Sequence, residues 1–339
     1  MPGLRCRPTG PIRLHDGFGW LHSGSMSPRG SAQVTLPHVE PMLATAGPLP
    51  AGPGWMGEVK WDGVRCVAYV PEAAPVRLLG RHGTDFTDRF PEVAEALTVR
   101  GPLVLDGELV VMRGGRPSFA ALQGRVHRTR LAAVRAAAAA APAVFVAFDL
   151  PHSGERSLLM EPYARRRELL EGLELERPGL RVPPVWDSVA EAFGWTREHG
   201  LEGVVAKRSD SPYRPGTRSQ DWVKIKHLRT ADVVIGGWLP APGEASVRAV
   251  LVGVPVEAEG RLTFVGSVGT GLTGAERRAL AAVLRRIDSP VSPFTAAGLG
   301  LPRGTLVHFV RPELRAEVEF LELTDAGRLR QPVWRGLRG

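Results

Sequence analysis

Eight consecutive residues, Glu58-Val-Lys-Trp-Asp-Gly-Val-Arg65, set one lysine between two carboxylates, ahead of a glycine turn and an arginine. Only an unprotonated amine attacks an electrophile. A nucleophilic Lys60 must therefore lose its proton near neutral pH, helped by a bound cation or by partial desolvation. Carboxylates beside it can recruit that cation. The alternative is a charge-paired lysine at an exposed strand end, followed by a turn at Asp62-Gly63.

Two further segments carry a carboxylate into apolar sequence: Leu105-Asp-Gly-Glu-Leu-Val110 and Leu201-Glu-Gly-Val-Val-Ala-Lys207. A charge in an otherwise buried strand needs a partner. An arginine would serve. Alongside a candidate lysine nucleophile, the carboxylates also suit hard divalent cations, because Mg2+ takes one or two carboxylates and leaves its other positions to water and phosphate oxygens. In Trp222-Val-Lys-Ile-Lys226, strand alternation puts Lys224 and Lys226 on the same face. Either an anion sits between them or they protect an exposed strand edge.

These residues need strands to hold them. Extended runs are expected at residues 64–70, 76–79, 103–112, 144–150, 203–207 and 222–226, alternating with helices at 91–99, 131–141, 163–173 and 188–199. After His227 the texture changes to short β runs at 233–239, 247–254, 262–268, 306–310 and 316–323, with one helix at 274–287. Five strands with a single helix between the third and fourth predict an OB-type barrel, with a boundary near residues 228–230. Residues 1–35 are rich in Gly, Pro, Ser and Arg and read as a disordered basic leader or an over-extended start, with Met26 as an alternative first residue.

The 339 residues are enough for two domains with cores of their own. A net charge of +8 favours a polyanionic partner and is equally compatible with an ordinary basic enzyme. Cys6 and Cys66 form no disulfide framework and no Cys-x-x-Cys pair, which fits a reducing cytosol. No apolar run approaches the roughly 18 residues of a membrane span, and no export signal is visible.

Taken in order, Lys60-Trp-Asp-Gly63, Arg81-His-Gly83, Asp106-Gly-Glu108, Phe148-Asp149, Glu202-Gly203 and Lys224-Ile-Lys226 resemble the motif series of the ATP-dependent DNA ligases, in the covalent nucleotidyltransferase superfamily. The sequence is most similar to the ligase domain of bacterial end-joining ligases. That similarity extends to Pro41-Met-Leu-Ala44, Arg116-Pro-Ser-Phe119, Ser211-Pro-Tyr-Arg-Pro-Gly216, Val234-Ile-Gly-Gly-Trp238, Arg311-Pro-Glu-Leu314 and Gly327-Arg-Leu-Arg330, and so covers residues 36–338.

The resemblance implies an α+β chain: a nucleotidyltransferase (ATP-grasp-like adenylation) domain of antiparallel sheets with helices over residues 36–228, then an OB-fold β-barrel over 229–339. It implies that Lys60 attacks the α-phosphate of ATP to give a lysyl-AMP. Glu108 and Glu202 would hold Mg2+ or Mn2+, Phe148 would stack on adenine, and Glu58 would read the adenine edge. Arg65 and Arg81 would contact the ribose or the acceptor phosphate, while Lys224 and Lys226 would grip the α-phosphate. Arg218, Arg330 and Arg335 would serve DNA.

The implied partners are nicked or broken duplex DNA and, from other chains, an end-joining polymerase, a nuclease and an end-bridging protein. A monomer in the bacterial cytosol or nucleoid, acting in DNA repair and recombination, is expected. The competing readings are an RNA ligase or capping-type nucleotidyltransferase, and a non-catalytic DNA-binding module with a decayed site.

Two departures from the family pattern stand out. His82 replaces an asparagine in Gly80-Arg-His-Gly83, and the acidic-lysine tail expected after Arg338 is missing.

Overall fold

The structure is a computed structural model and describes residues 36–99, 101–243, 246–256, 260–295, 298–324 and 326–338. The expected leader at 1–35, and Cys6 with it, lie outside the described residues.

The first part of the chain runs β1 (Leu43–Ala46), β2 (Trp55–Val59), β3 (Val64–Val70), β4 (Arg77–Gly80), α1 (Pro91–Ala96), β5 (Leu103–Arg113), the short β6 (Arg116–Pro117), α2 (Phe119–Val126) and α3 (Leu131–Ala140). It continues through β7 (Ala143–Ser153), β8 (Arg156–Ser157), α4 (Tyr163–Gly172), β9 (Leu180–Arg181), α5 (Val189–Glu198), β10 (Gly203–Arg208) and β11 (Arg218–Lys226). Two sheets result, ordered β1-β11-β10-β2 and β4-β3-β5-β7-β8.

Strand parity explains why polar residues interrupt these strands. Along β5, Leu103, Leu105, Leu109 and Val111 join the core beneath the helices, whereas Val104 joins a second cluster shared with Trp222 of the other sheet. Side chains alternate along a strand, so Asp106 and Glu108 leave on the same side as Val104, into the cleft between the sheets. The same rule works on β10 and β11. Val204, Ala206, Val223 and Ile225 pack with α5, while Val205 and Trp222 belong to the cleft cluster. Lys207, Lys224 and Lys226 share the cleft-facing parity.

The remainder is β12 (Arg229–Pro240), β13 (Val247–Pro255), β14 (Leu262–Val268), α6 (Gly274–Arg286), β15 (Asp288–Ser289), β16 (His308–Val310), β17 (Arg315–Phe320) and β18 (Val333–Arg338). β12 pairs with both β13 and β17, β13 pairs with β14, and β17 pairs with β18. A parallel bridge between Thr270 and Val333 links the β14 side to β18 and closes the ring. This is an OB barrel, with α6 seated on it through Leu280, Ala281 and Leu284. Thr273 and Glu276 form a reciprocal capping box that fixes where the helix starts.

Most expected elements are present, with instructive differences. The segment 306–310 supplies only the three-residue β16 beside Gly237 and Trp238, and the ring takes β18 as its last strand. β1, β2 and α2 were not expected. β2 carries a mid-strand Gly57, whose missing Cβ lets α5 pack directly against it through Ala192 and Val189. Among the described residues no helix is long and apolar enough to cross a membrane.

Candidate active site

The cleft between the two sheets encloses a cavity of 180 Å³. Glu58, Lys60, Arg65, Arg81, Glu108, Phe148, Arg218 and Lys224 all line it, although 166 positions separate the first from the last. Pairing register explains much of this: Glu58 lies opposite Val205, which lies opposite Lys224, so three adjacent strands set these residues in one row.

Lys60 sits just past the end of β2, and its backbone N–H donates to the Gly203 carbonyl at 2.9 Å. Its ammonium donates to Glu202 Oε2 at 2.5 Å, while Lys226 approaches Glu202 Oε1 at 2.8 Å. One nearly buried carboxylate thus holds two lysines. Gly203 makes this geometry possible, because it has φ 147° and a Cβ there would overlap the Ile225 carbonyl oxygen. Lys224 is held below its ordinary pKa by burial and by the neighbouring cations Lys60, Arg218 and Lys226.

Glu108 accepts no hydrogen bond among the described residues. Burial pushes its carboxyl up to about 7, against the opposing pull of Arg65 and Lys60. Gly63 lets the turn after Lys60 approach this strand, since a Cβ there would overlap the Leu109 carbonyl oxygen and crowd Glu108. Asp106, next to it on the same face, is fully committed elsewhere. It accepts from Arg65 Nε and Nη2 at 2.6 Å each, and from the Tyr213 hydroxyl at 2.6 Å. Arg65 is thereby placed over the Phe148 ring, 4.4 Å from its centroid.

Phe148 reaches the cleft through an irregularity in pairing. Asp106 faces Asp149 and Gly107 faces Ala147, which leaves Phe148 as the extra residue of a bulge. Behind it, Asp149 is locked to Arg166 by bonds of 2.7 and 3.0 Å, with both side chains fully buried.

Glu58 is 3% exposed and accepts from the Tyr163 hydroxyl and from Lys207 Nζ at 2.9 Å. Lys207 and Tyr163 carried no expected role. Tyr163, set among Glu161 and Arg165 to Arg167, gave no sequence signal, and the only signal for Lys207 was the strand parity it shares with Val205.

The arginines expected to serve DNA divide. Arg218 stands at the cavity with Nη1 on the Ala44 carbonyl at 2.6 Å. Arg330, in the barrel, donates to both oxygens of Asp62, Nη2 at 2.8 Å, and to Glu322 at 2.8 Å. Arg335 pairs with Glu319 of its own barrel and does not line the cavity. Lys226 also donates to Gln331 Oε1 at 2.8 Å. The barrel therefore rests against Asp62 and Lys226, and together they wall a second cavity of 670 Å³ that shares Lys60 with the first. Arg81 and the exposed His82 line a neighbouring groove.

Residues 41–226 match the family model described as ATP dependent DNA ligase domain, and residues 243–339 match the ATP dependent DNA ligase C terminal region. The chain belongs to the ATP-dependent DNA ligases. It is 40% identical over 332 residues to the multifunctional non-homologous end joining protein LigD of Mycobacterium bovis, covering 95% of this chain and 41% of that protein. With DNA ligase C2 of Mycolicibacterium smegmatis it shares 37% identity over 255 residues, covering 72% of this ligase and 69% of that one. Among solved structures, the ligase domain of M. tuberculosis LigD is 41% identical, covers 88% of this chain and 95% of its own, and superposes with a TM-score of 0.51. This ligase spans about two fifths of the length of the LigD proteins it matches.

Among the described residues no three His, Cys, Asp or Glu side chains gather as a ready-made metal site. The donors do fit a Mg2+-like ion, which takes few protein ligands: among the described residues Glu108 is a hard oxygen donor without a hydrogen-bond partner, and Glu202, bonded to Lys60, is near enough for its charge to act on Glu108.

Proposed function

We propose that this protein is a DNA ligase (ATP) that seals 5′-phosphate/3′-hydroxyl breaks in duplex DNA through a lysyl-AMP. The observation that carries the reading is Lys60, tied to Glu202 at the junction of two cavities, one lined by Glu58, Phe148 and Glu108 and the other closed by the barrel. Residues 36–228 form the adenylation domain and 229–339 the barrel.

In the first step the Lys60 amine attacks the α-phosphorus of ATP. The N–P bond forms as the bond to the leaving oxygen breaks, and pyrophosphate departs. The ammonium proton must leave first, and Glu202, already hydrogen-bonded to it, is placed to receive it. Lys224 and Lys226 balance charge on the α-phosphate. Phe148 takes the adenine face and Glu58 its edge, while Arg65, held by Asp106, and Arg81 face the ribose or the acceptor phosphate. A Mg2+ or Mn2+ ion, when bound through Glu108 and Glu202, offsets the charge developing on the phosphates. AMP then passes to a DNA 5′-phosphate, and the adjacent 3′-hydroxyl attacks that phosphorus and releases AMP. Arg218 supports the nick backbone. Arg330 and Arg335 become available to DNA only once their present ion pairs open.

The likeness to LigD supports a place in bacterial non-homologous end joining.

Incubation with α-labelled ATP and Mg2+ tests this. Wild type should acquire a covalent label that Lys60→Ala lacks, and labelled enzyme should seal nicked DNA in preference to nicked RNA. Absence of label on wild type would end the enzyme reading, and sealing of RNA alone would move the protein to the RNA ligases.

A further inference from the structure

Lys207 is a buried cation lining the cleft to which the motif series gives no task. Its ammonium is 1% exposed and enclosed by rings, with Nζ 4.3 Å from the centroid of Trp222, 4.6 Å from Tyr163 and 4.7 Å from Phe148. It makes two hydrogen bonds, to Glu58 Oε1 at 2.9 Å and to the Phe148 carbonyl at 3.0 Å. Those are the two residues that would receive the base, one by its edge and one by its face. A buried ammonium carries a desolvation cost that a merely space-filling residue would avoid.

The bonds on Glu58 are one-sided. Tyr163 and Lys207 both donate to Oε1, and Arg167 stands 4.0 Å from that same oxygen while engaged with Glu171 and the Pro183 carbonyl. Among the described residues Oε2 receives no donor. A paired carboxylate has no proton to give, so Oε2 offers the cavity an acceptor and nothing else. An amino group on C6 of a purine meets it as a donor. An oxo group there meets it as a second acceptor and is repelled.

We infer that Lys207 is a positioning residue that sets base selectivity: by pairing with Glu58 and pinning Phe148 it makes the cavity accept a 6-aminopurine nucleotide and refuse a 6-oxopurine one. The inference rests on the nucleotide-binding reading of this cavity. Without Lys207, Oε1 keeps only the Tyr163 hydrogen bond and the carboxylate is no longer pinned, so the acceptor aimed at the base loses its fixed position and with it the bias against an oxo group.

The test uses the whole chain and compares ATP with inosine triphosphate, which carries the 6-oxo edge without the 2-amino group of GTP. Covalent labelling is measured as kcat/KM for each nucleotide, and the ratio is read in wild type, Lys207→Met, Lys207→Arg and Glu58→Gln. In Lys207→Met the ratio should move toward inosine triphosphate by about tenfold or more, the effect expected when a donor–acceptor mismatch is relieved. Most of the change should fall on KM for ATP. Glu58→Gln, whose amide can donate, should move it the same way, and Lys207→Arg, which keeps the charge, should stay near wild type. General damage to folding lowers both nucleotides together and leaves the ratio alone. If Lys207→Met is too unstable to label, Lys207→Gln is read by the same criterion. An unchanged ratio in a Lys207 variant that still labels overturns the inference, whereas failure of wild type to label with ATP overturns the ligase reading instead.

Discussion

Arg330 reaches from the barrel to both oxygens of Asp62, two residues past Lys60, and Arg330→Ala should weaken the closed arrangement selectively. The two side chains are only 17% and 18% exposed, and Arg330 also bonds Glu322. Charge-assisted bonds contribute about 1.5–3 kcal/mol when buried, and exposed pairs about 0–1. A mostly buried bidentate pair, backed by the separate Lys226–Gln331 contact, lies between these limits, so a loss of about 2 kcal/mol is expected. That is about thirtyfold in the closed-to-open ratio. Closure puts Lys60 in a cavity walled by the barrel and should favour attack on ATP, whereas access of a duplex to Lys60 should be easier with that wall withdrawn. Rapid-quench measurement of lysyl-AMP formation should therefore show Arg330→Ala slowed by up to that factor, and slowed more than its sealing of pre-adenylated nicked DNA. Asp62→Ala should do the same, and the double variant should be no worse than either single one. The reasoning is refuted if both steps slow equally, or if the two variants add independently.

Four further outcomes are expected. Glu108, raised by burial to about 7, is protonated below that pH, so first-step activity at low Mg2+ should fall as pH drops through 7, and excess Mg2+ should move the fall to lower pH. A raised carboxyl stabilises the fold in its neutral form, so the contribution of Glu108 to stability is present below about 4.5 and lost as pH rises through 7; melting scans of Glu108→Gln should lack that part of the pH dependence. For Asp149, burial alone would raise the carboxyl, but Arg166 holds it below the ordinary 3.8, so its stabilisation is present above that value and lost as pH falls below it. Arg166→Met, which strands Asp149 unpaired, should cost about 3–5 kcal/mol in urea unfolding, and a loss under 1 kcal/mol would contradict the burial argument. Finally, Gly63→Ala forces Cβ into the Leu109 carbonyl and should abolish labelling in a protein that still melts cooperatively.

Much of this site follows from strand parity that anyone can count along the chain. Residues 106 and 108, or 224 and 226, share a face wherever the strand begins, so the cavity-lining carboxylates and lysines were legible once strands were placed. Phe148 was harder. Its orientation depends on a bulge that appears only when β5 and β7 are paired. Lys207 was hard to read for a different reason: its neighbours Glu58, Tyr163 and Phe148 lie on other strands and a helix, and locally only the parity it shares with Val205 sets it apart from a surface lysine. The Asp62–Arg330 contact spans 268 positions and two folded units, a distance over which no periodicity carries information. The last barrel strand was hidden by Gly336 and by the arginines at 335 and 338, which read as a motif and not as β structure.

On the proposed mechanism the carboxylate of Glu202, shared by Lys60 and Lys226, would also act as a tally of the reaction's progress. While both lysines are protonated, the trio is net positive and holds a polyphosphate well. Once Lys60 carries AMP it has given up its charge and gained a phosphate, and the same trio becomes net negative. The chemical step would thus erase the attraction that drew the triphosphate in, so that pyrophosphate leaves a pocket that no longer wants it and a second ATP is turned away until the AMP has moved on to DNA.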